Sequence, residues 1–433
     1  MQMKPQLFTQ LKIFDGTGAP CFAGEVLVEG GLIRSVGRGT HSITRESHYD
    51  IIDGQGMTLM PGLVEAHAHV TYSNMVKFNE LGQIPLEEHT LLALENVKLM
   101  LDSGFTSLYS AASAKFRLEV PIRDAIDAGR FPGPRMRAAS PELVATGGLG
   151  DERQYHMHHQ GFEVIADGID EVRRTVRTLI REGVDTVKVN ISGDPFYGRH
   201  GFGHRLSYTE AEVAAAAEEA HMRGAWLSCH ARADESVRLA LKYGFRVIYH
   251  CDFIEGDTFD LLEAQRDRIF LAPAIGAIYT AAYEAEPWGI TRQFALDHEL
   301  FDMLERCPSV YRDLKARGLR ILPGGDYGFA WNPIGTNARD LEHFVNLLGF
   351  TPAEALMAAT KWGGEIMGIA NLGLIREGYL ADLLVVDGDP IDDITLLQDR
   401  DNIKIVMKDG AYCKRPVPAA GIIEPLGGSL AYA

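Results

Sequence analysis

The sequence predicts an α/β fold, a (β/α)8 TIM barrel joined to a small β-sandwich built from both chain ends. Two observations carry the barrel and one the sandwich. Between residues 86 and 326, segments with apolar residues at helical spacing end in glycine and run into short apolar stretches, the order of a parallel sheet with helical crossovers. The unit recurs over about three hundred residues, which suits a closed barrel. Short strand-like runs with Gly and Asp at their corners fill the first sixty residues and return only near the C-terminus.

The N-terminal runs are "QLKIF" followed by "DGTG", then "GEVLVEGGLIRSVG" and "YDIIDGQGMTLMPG"; their counterparts are "LGLIREGYLADLLVVDGDP" and "NIKIVMKDGAYCKR". Residues 1–60 and 372–433 are therefore assigned to the two parts of the sandwich and residues 61–371 to the barrel. In the barrel, "LEEHTLLALENVKLMLDSG" precedes "FTSLYSA", and "GIDEVRRTVRTLIREG" precedes "VDTVKVNIS". "TEAEVAAAAEEAHMRG" precedes "AWLSCHA", "DESVRLALKYG" precedes "FRVIYHC", and "VYRDLKARG" precedes "LRILPGGD". The competing reading is an open doubly wound sheet. It would carry Gly-x-Gly-x-x-Gly after its first strand, and none follows "MTLMPGLVEAH".

Composition narrows the function. The chain has 433 residues, 46% apolar and 23% charged, as expected of a globular enzyme. A formal charge of −17 and a pI near 5.3 argue against nucleic-acid or anionic-membrane partners. Cys21, Cys229, Cys251, Cys307 and Cys413 are scattered and form no Cys-x-x-Cys pair, so neither a disulfide framework nor a thiolate zinc knot is indicated. The N-terminal stretch has no apolar h-region and no span of ~18 apolar residues occurs, so a cytoplasmic protein is expected.

The chemistry-bearing residues sit at strand ends. In "MPGLVEAHAH", His67 and His69 share one side of a strand while Ala66 and Ala68 leave room around them. Alone the pair is weak, because two solvated loop histidines look the same. The other strands add to it: "VDTVKVN" carries Lys188, "AWLSCH" ends in His230, "FRVIYH" in His250 and "RILPGGD" in Asp326. Barrel active sites lie at the C-terminal strand ends, where these residues would converge. Singly, a strand-end His is a hydrogen-bonded residue and a strand-end Asp an N-cap. Four histidines, an acid and a lysine at equivalent positions are together the donor set of a metal centre. Asn190, two residues beyond Lys188, faces the same way; it either reaches the metal centre or the substrate carbonyl, or bonds backbone.

With "MPGLVEAHAH", "TPAEALMAATKWGGEIMGI" and "LGLIREGYLADLLVVDGDP", this pattern resembles the amidohydrolase superfamily over essentially the whole chain. "VATGGLGD" and "VDTVKVNISGD" resemble its prolidase-like and imidazolonepropionase-like branch, which includes Xaa-Pro dipeptidases and phenylurea and molinate hydrolases. "GFTSLYSAAS" stands where many members of the branch read "GVTTVRD". The resemblance implies one or two divalent ions, His67, His69 and Asp326 around one and His230 and His250 around the other. It also implies a CO2-derived carbamate on Lys188 that bridges them; the alternative is a structural lysine beside a single ion. Zinc is the default, and cobalt, manganese or iron suit the same donors. The resemblance further implies a homo-oligomer.

In such a centre a metal-activated water attacks, and Asp326 is the expected general base. Tyr197, shortly after the Lys188 strand, ranks first as oxyanion donor, ahead of Asn190 and a histidine of "QYHMHH", a segment left out of the ligand set. "SGDPFYGRHGFGHRLS" reads as a lid. Its Arg199 or Arg205 either binds a substrate carboxylate or is a solvated charge. Tyr279, Tyr283 and Trp288 of "AIGAIYTAAYEAEPWGI" are either substrate-binding wall or packing. The expected activity is metal-dependent hydrolysis of a C–N bond in a small molecule, with N-aryl or N-alkyl ureas, carbamates and anilides preferred. An Xaa-Pro dipeptidase or N-acyl amino acid hydrolase is the alternative, followed by a non-catalytic barrel scaffold and a deaminase or lyase. Lys188 speaks against the deaminase, and the filled ligand positions speak against the scaffold.

Overall fold

The computed structural model of the chain describes residues 4–156, 161–197 and 202–415. Strand β1 (Gln6–Ile13) pairs antiparallel with β2 (Phe22–Glu29), which continues to β3 (Leu32–Arg38). On its other side it pairs in parallel with β4 (Asp50–Asp53) and β5 (Thr58–Pro61). Barrel strand β6 (Leu63–Ala68) follows at once, with Gly62 alone between. A Cβ at Gly62 would lie 2.2 Å from the buried Thr106 Oγ1, so a glycine lets the sheet meet the barrel here.

The barrel strands form two parallel arcs. In one, β6 pairs with β7 (Phe105–Ser110) and β7 with β8 (Arg135–Arg137). Beyond Ala138 the chain continues as β9 (Ala139–Val144), which belongs to the second arc. That arc has β10 (Val164–Ile165) on one edge and continues from β9 through β11 (Thr186–Asn190), β12 (Trp226–Ala233) and β13 (Val247–Phe253) to β14 (Phe270–Ala272). The extended segment before Asp326 lies between the arcs: Leu322 N donates to Leu271 O at 2.8 Å, and Ala66 N donates to Pro323 O at 3.2 Å.

Alternation along the strands sorts side chains. Val187, Val189, Leu227, Cys229 and Leu271 join the large core beneath the helices. Val64, Ala66, Tyr109, Tyr249, Phe270 and Leu322, from five parts of the barrel, meet in a separate cluster that fills its interior. The polar strand ends lie beyond that plug.

The helices form for ordinary reasons. In Ile169–Arg181, Val172, Val176 and Leu179 are buried on one stripe. Helix Glu210–Met222 opens with a capping box between Thr209 and Glu212. Its Glu219 is buried and accepts hydrogen bonds from Arg177, Arg173 and Arg223, tying the two helices together.

Near the C-terminus, β15 (Leu383–Val386) pairs antiparallel with β5, β16 (Ile403–Lys408) with β15, and β17 (Ala411–Lys414) with β16. Both chain ends thus share one mixed eight-stranded sheet, with seven strands on a path from β17 to β3 and β4 branching from β1. Its own core includes Phe8, Val26, Leu59, Leu383, Val385 and Ile405. Among the described residues, no helix is long and apolar enough to cross a membrane.

The Glu219 cluster has a pH signature. Hydrogen bonds from Arg177, opposed by burial and reinforced by Arg173, hold its carboxyl down at about 2 against an ordinary 4.5. Because the folded-state pKa is depressed, its stabilisation is complete above about 4.5 and is lost as pH falls through about 2. In urea melts from neutral to acid pH, the gap between wild type and Glu219→Gln is expected to be largest near neutrality and to close across that window.

Candidate active site

The donor residues reach one cavity through irregular backbone. Val64 and Ala66 face the barrel interior, and unbroken alternation would turn His67 away from it. The β6–β7 ladder slips between Glu65 and Ala68, and His67 N donates to Glu65 Oε1 at 3.1 Å; after the slip, His67 and His69 line the same cavity. His67 stacks on Tyr249 with ring centroids 3.9 Å apart, and His69 on Tyr72 at 4.0 Å. A Cβ at Gly324 would lie 2.7 Å from His67 Cβ and 2.9 Å from His67 N, so a glycine lets the segment before Asp326 approach the His67 backbone.

At the end of β13, His250 and Cys251 have φ of 77° and 55°, and Asp326 has φ of 58°, all left-handed. Such conformations cost of order 1–3 kcal/mol each and persist where the surroundings impose them. Here Tyr311 OH donates to His250 O at 2.6 Å, and Asn332 Nδ2 donates to Asp326 O at 3.1 Å. Lys188 and His230 need no such device, since regular alternation on β11 and β12 points them inward.

His67, His69, Lys188, His230, His250 and Asp326 all line a cavity of about 50 Å³. The rings are contiguous: centroids are 5.0 Å apart for His67 and His69, 5.5 Å for His67 and His250, and 4.2 Å for His230 and His250. Asp326 Oδ1 lies 3.1 Å from His69 Nε2 and 3.7 Å from His67 Nε2. Lys188 Nζ sits 4.8 Å over the Tyr249 ring.

Burial sets their charge states. It drives His67 and His250 well below the ordinary imidazole range and His230 down to about 3, so all three are neutral. Burial also lowers the Lys188 amine, against the pull of Glu142 and Asp326. Burial pushes Asp326 up, yet His67 and His69 outweigh it and keep the group a carboxylate.

These donors fit divalent cations. His69 Nδ1 donates to Ala112 O at 3.2 Å and His230 Nε2 to Gly193 O at 3.1 Å, which leaves the opposite nitrogen of each ring as a lone-pair donor. Nδ1 of His67 and of His250 is buried without a protein partner among the described residues. Ligand atoms of His67, His69 and Asp326 lie within 4.8 Å of one another.

Other expected site residues are placed differently. Tyr197 overhangs the cavity, against Phe78 and Phe196. Asn190 spends both amide hydrogens on Glu142 Oε2 at 2.7 Å and Leu149 O at 3.1 Å, so it has none to offer an oxyanion. Arg205 and His156 are exposed, while Arg199, His158 and His159 lie outside the described residues. Tyr279 and Tyr283 pack on each other, on His343 and on Phe301, and Trp288 is exposed; none of the three borders the cavity. On their helix, Ile275–Tyr283, it is Ala277, Ile278 and Ala281 that face inward.

Two residues were not singled out from the sequence. Glu142 lies opposite Lys188 in the β9–β11 register and accepts from Tyr72 OH at 3.0 Å as well as from Asn190. Arg232, two residues beyond His230, is buried and donates through Nε to Asp194 Oδ2 at 2.5 Å and through Nη1 to Asp252. Alternation alone places Glu142 and Arg232 inward.

A parallel barrel whose strand ends bring four histidines, a lysine and an aspartate to one buried cavity defines a metal-dependent hydrolase. The chain belongs to the amidohydrolase family, whose pattern matches residues 58–256 and 308–412, and it is a hydrolase of the C–N bond class. Ochratoxinase of Aspergillus niger is 27% identical over 384 residues, 83% of this chain and 76% of that protein. The crystal structure of a Xaa-Pro dipeptidase with bound methionine in its active site superposes with TM-score 0.81 at 26% identity, over 95% of this chain and 100% of the other. That of a putative prolidase from Bifidobacterium longum gives 0.80 at 25%, over 97% of each. Molinate hydrolase and phenylurea hydrolase B share the fold, with TM-scores 0.76 and 0.73 at 19% and 21% identity.

Metal should stabilise the folded chain by mass action, ~4 kcal/mol at a thousandfold excess over Kd. Chelator-stripped protein is expected to melt lower and to recover on adding zinc, cobalt or manganese. In Asp326→Ala or His67→Ala the recovery should be much smaller, as differential scanning calorimetry would show.

Proposed function

We propose that this amidohydrolase cleaves an amide, urea or carbamate C–N bond in a small uncharged molecule, with N-aryl and N-alkyl ureas, carbamates and anilides ahead of carboxylate-bearing substrates. The observation that carries the preference is Arg232. Asp194, Tyr197, Asp326 and Phe329 border both the metal-site cavity and a second one beside it. Among the described residues bordering the two, the Lys and Arg side chains are Lys188 and Arg232. Arg232 is already paired with Asp194 and Asp252, so it is not free to receive a substrate carboxylate.

His67, His69 and Asp326 would hold one divalent ion, and His230 and His250 a second, with zinc, cobalt, manganese or iron suited to these donors. When bound, such ions supply Lewis acidity and an acidified water. Asp326 takes the proton of the attacking water and returns it to the leaving nitrogen. Tyr197 donates its hydroxyl hydrogen to the developing oxyanion. Glu142 is fixed by Tyr72 and Asn190 and lies opposite Lys188 in the strand register. The burial-lowered Lys188 amine is available to add to CO2, forming an N–C bond and releasing one proton. The product is an anionic carbamate with two oxygens where the amine has one nitrogen donor.

A second reading, a peptidase or N-acyl amino acid hydrolase, is favoured by the likeness to a Xaa-Pro dipeptidase at 26% identity. One experiment separates them: metal content per chain in wild type and Lys188→Ala, with a phenylurea, an anilide and an N-acyl amino acid assayed on the same samples. The expected result is a kcat/KM at least about tenfold higher for the uncharged substrates. Lys188→Ala should lose one ion and about 10³-fold in activity, the scale of losing an essential catalytic group. A preference for the N-acyl amino acid would overturn the substrate class, and unchanged metal content in Lys188→Ala would overturn the carbamate.

A further inference from the structure

The second cavity, about 50 Å³, opens beside Asp326 and is walled by Ala277, Ile278, Ala281, Met303, Phe329 and Trp331. Three features give it a meaning. One side of the wall comes from helix Ile275–Tyr283 and the start of helix Leu300–Ala316, which the family pattern skips, while Phe329 and Trp331 lie within the pattern. Its position is fixed to the chemistry: Ala277 N donates to Gly325 O at 2.9 Å, one residue before Asp326. Its lining is apolar except for Asp194, Tyr197, Arg232 and Asp326, and Arg232 is already paired with Asp194 and Asp252. Ile278, Ala281, Leu300, Met303, Phe329 and Trp331 belong to one hydrophobic cluster.

Resting on the hydrolase reading above, we infer that this cavity is the specificity pocket, and that it selects a compact alkyl group of the substrate. Size sets the class. Benzene occupies a cavity of about 150 Å³, so a space a third as large takes a short branched alkyl group and no fused ring. The methyl groups of Ala277 and Ala281 set the depth, since any larger side chain there fills the space.

Alkyl hydroxamates test this without turnover, because the head group chelates metal while the tail explores the pocket. Calorimetric Kd values for acetohydroxamate and 3-methylbutanohydroxamate are measured on metal-loaded wild type and Ala281→Leu. Three more buried carbons should favour the larger ligand by on the order of thirtyfold in wild type. In Ala281→Leu the ratio should fall to about one; if that variant does not fold, Ala277→Leu carries the same expectation. No advantage in wild type, or an advantage that survives the substitution, overturns the inference. If neither hydroxamate binds wild type, the metal reading fails and the pocket is read separately with xenon. One xenon atom between Ala281 and Trp331 in pressurised crystals, absent from the Ala281→Leu variant, upholds the pocket, and its absence from wild type overturns it.

Discussion

The constraint on which the centre depends is desolvation. Lys188, His67, His69, His230 and His250 are each no more than 4% exposed, and Asp326 stands among them, with Glu142, Glu152 and Asp194 on the border of the same cavity. Keeping several of these groups protonated would put like charges side by side where each ion costs several kcal/mol to bury. Burial answers this at His67, His230 and His250 by favouring the neutral imidazole, which is the state that offers lone pairs to a cation. What makes the site expensive as a cluster of charges makes it suitable as a cluster of donors.

Directing so many donors to one point strains the chain. Regular strands deliver Lys188 and His230, but His67 needs a register slip, and His250 and Asp326 need left-handed backbone. These distortions are local and supported. Tyr249 packs under the His67 ring and anchors itself through its hydroxyl to Ala66 O at 3.0 Å, while Tyr311 and Asn332 hold the carbonyls at the two strained positions. The interior cluster beneath them, with Tyr109, Phe270 and Leu322, is the solid floor that lets strain persist above it.

The same distinction decides what the sequence could reveal. Helix, glycine and strand units are local patterns, so the parallel arcs and the sheet shared by both chain ends could be read directly. Lys188 and His230 follow from alternation, and so do Glu142 and Arg232, whose parity points inward. The route by which His67 reaches the cavity could not be read, because a register slip leaves no residue-type signature. For the substrate side, aromatic content drew attention to Tyr279 and Tyr283, whereas helix phase selects Ala277 and Ala281. Small residues mark the wall by leaving space, and space has no composition.

The split in the family pattern has a physical counterpart. Residues 58–256 and 308–412 contain the strands that present every candidate metal ligand. The intervening residues 257–307 carry helices that contribute no candidate ligand yet touch the reaction through Ala277 N and Gly325 O. A wall attached at that point can change the size and polarity of the space beside Asp326 without moving the strand ends. The space beside Asp326 can therefore change while the candidate ligands stay where the strands place them.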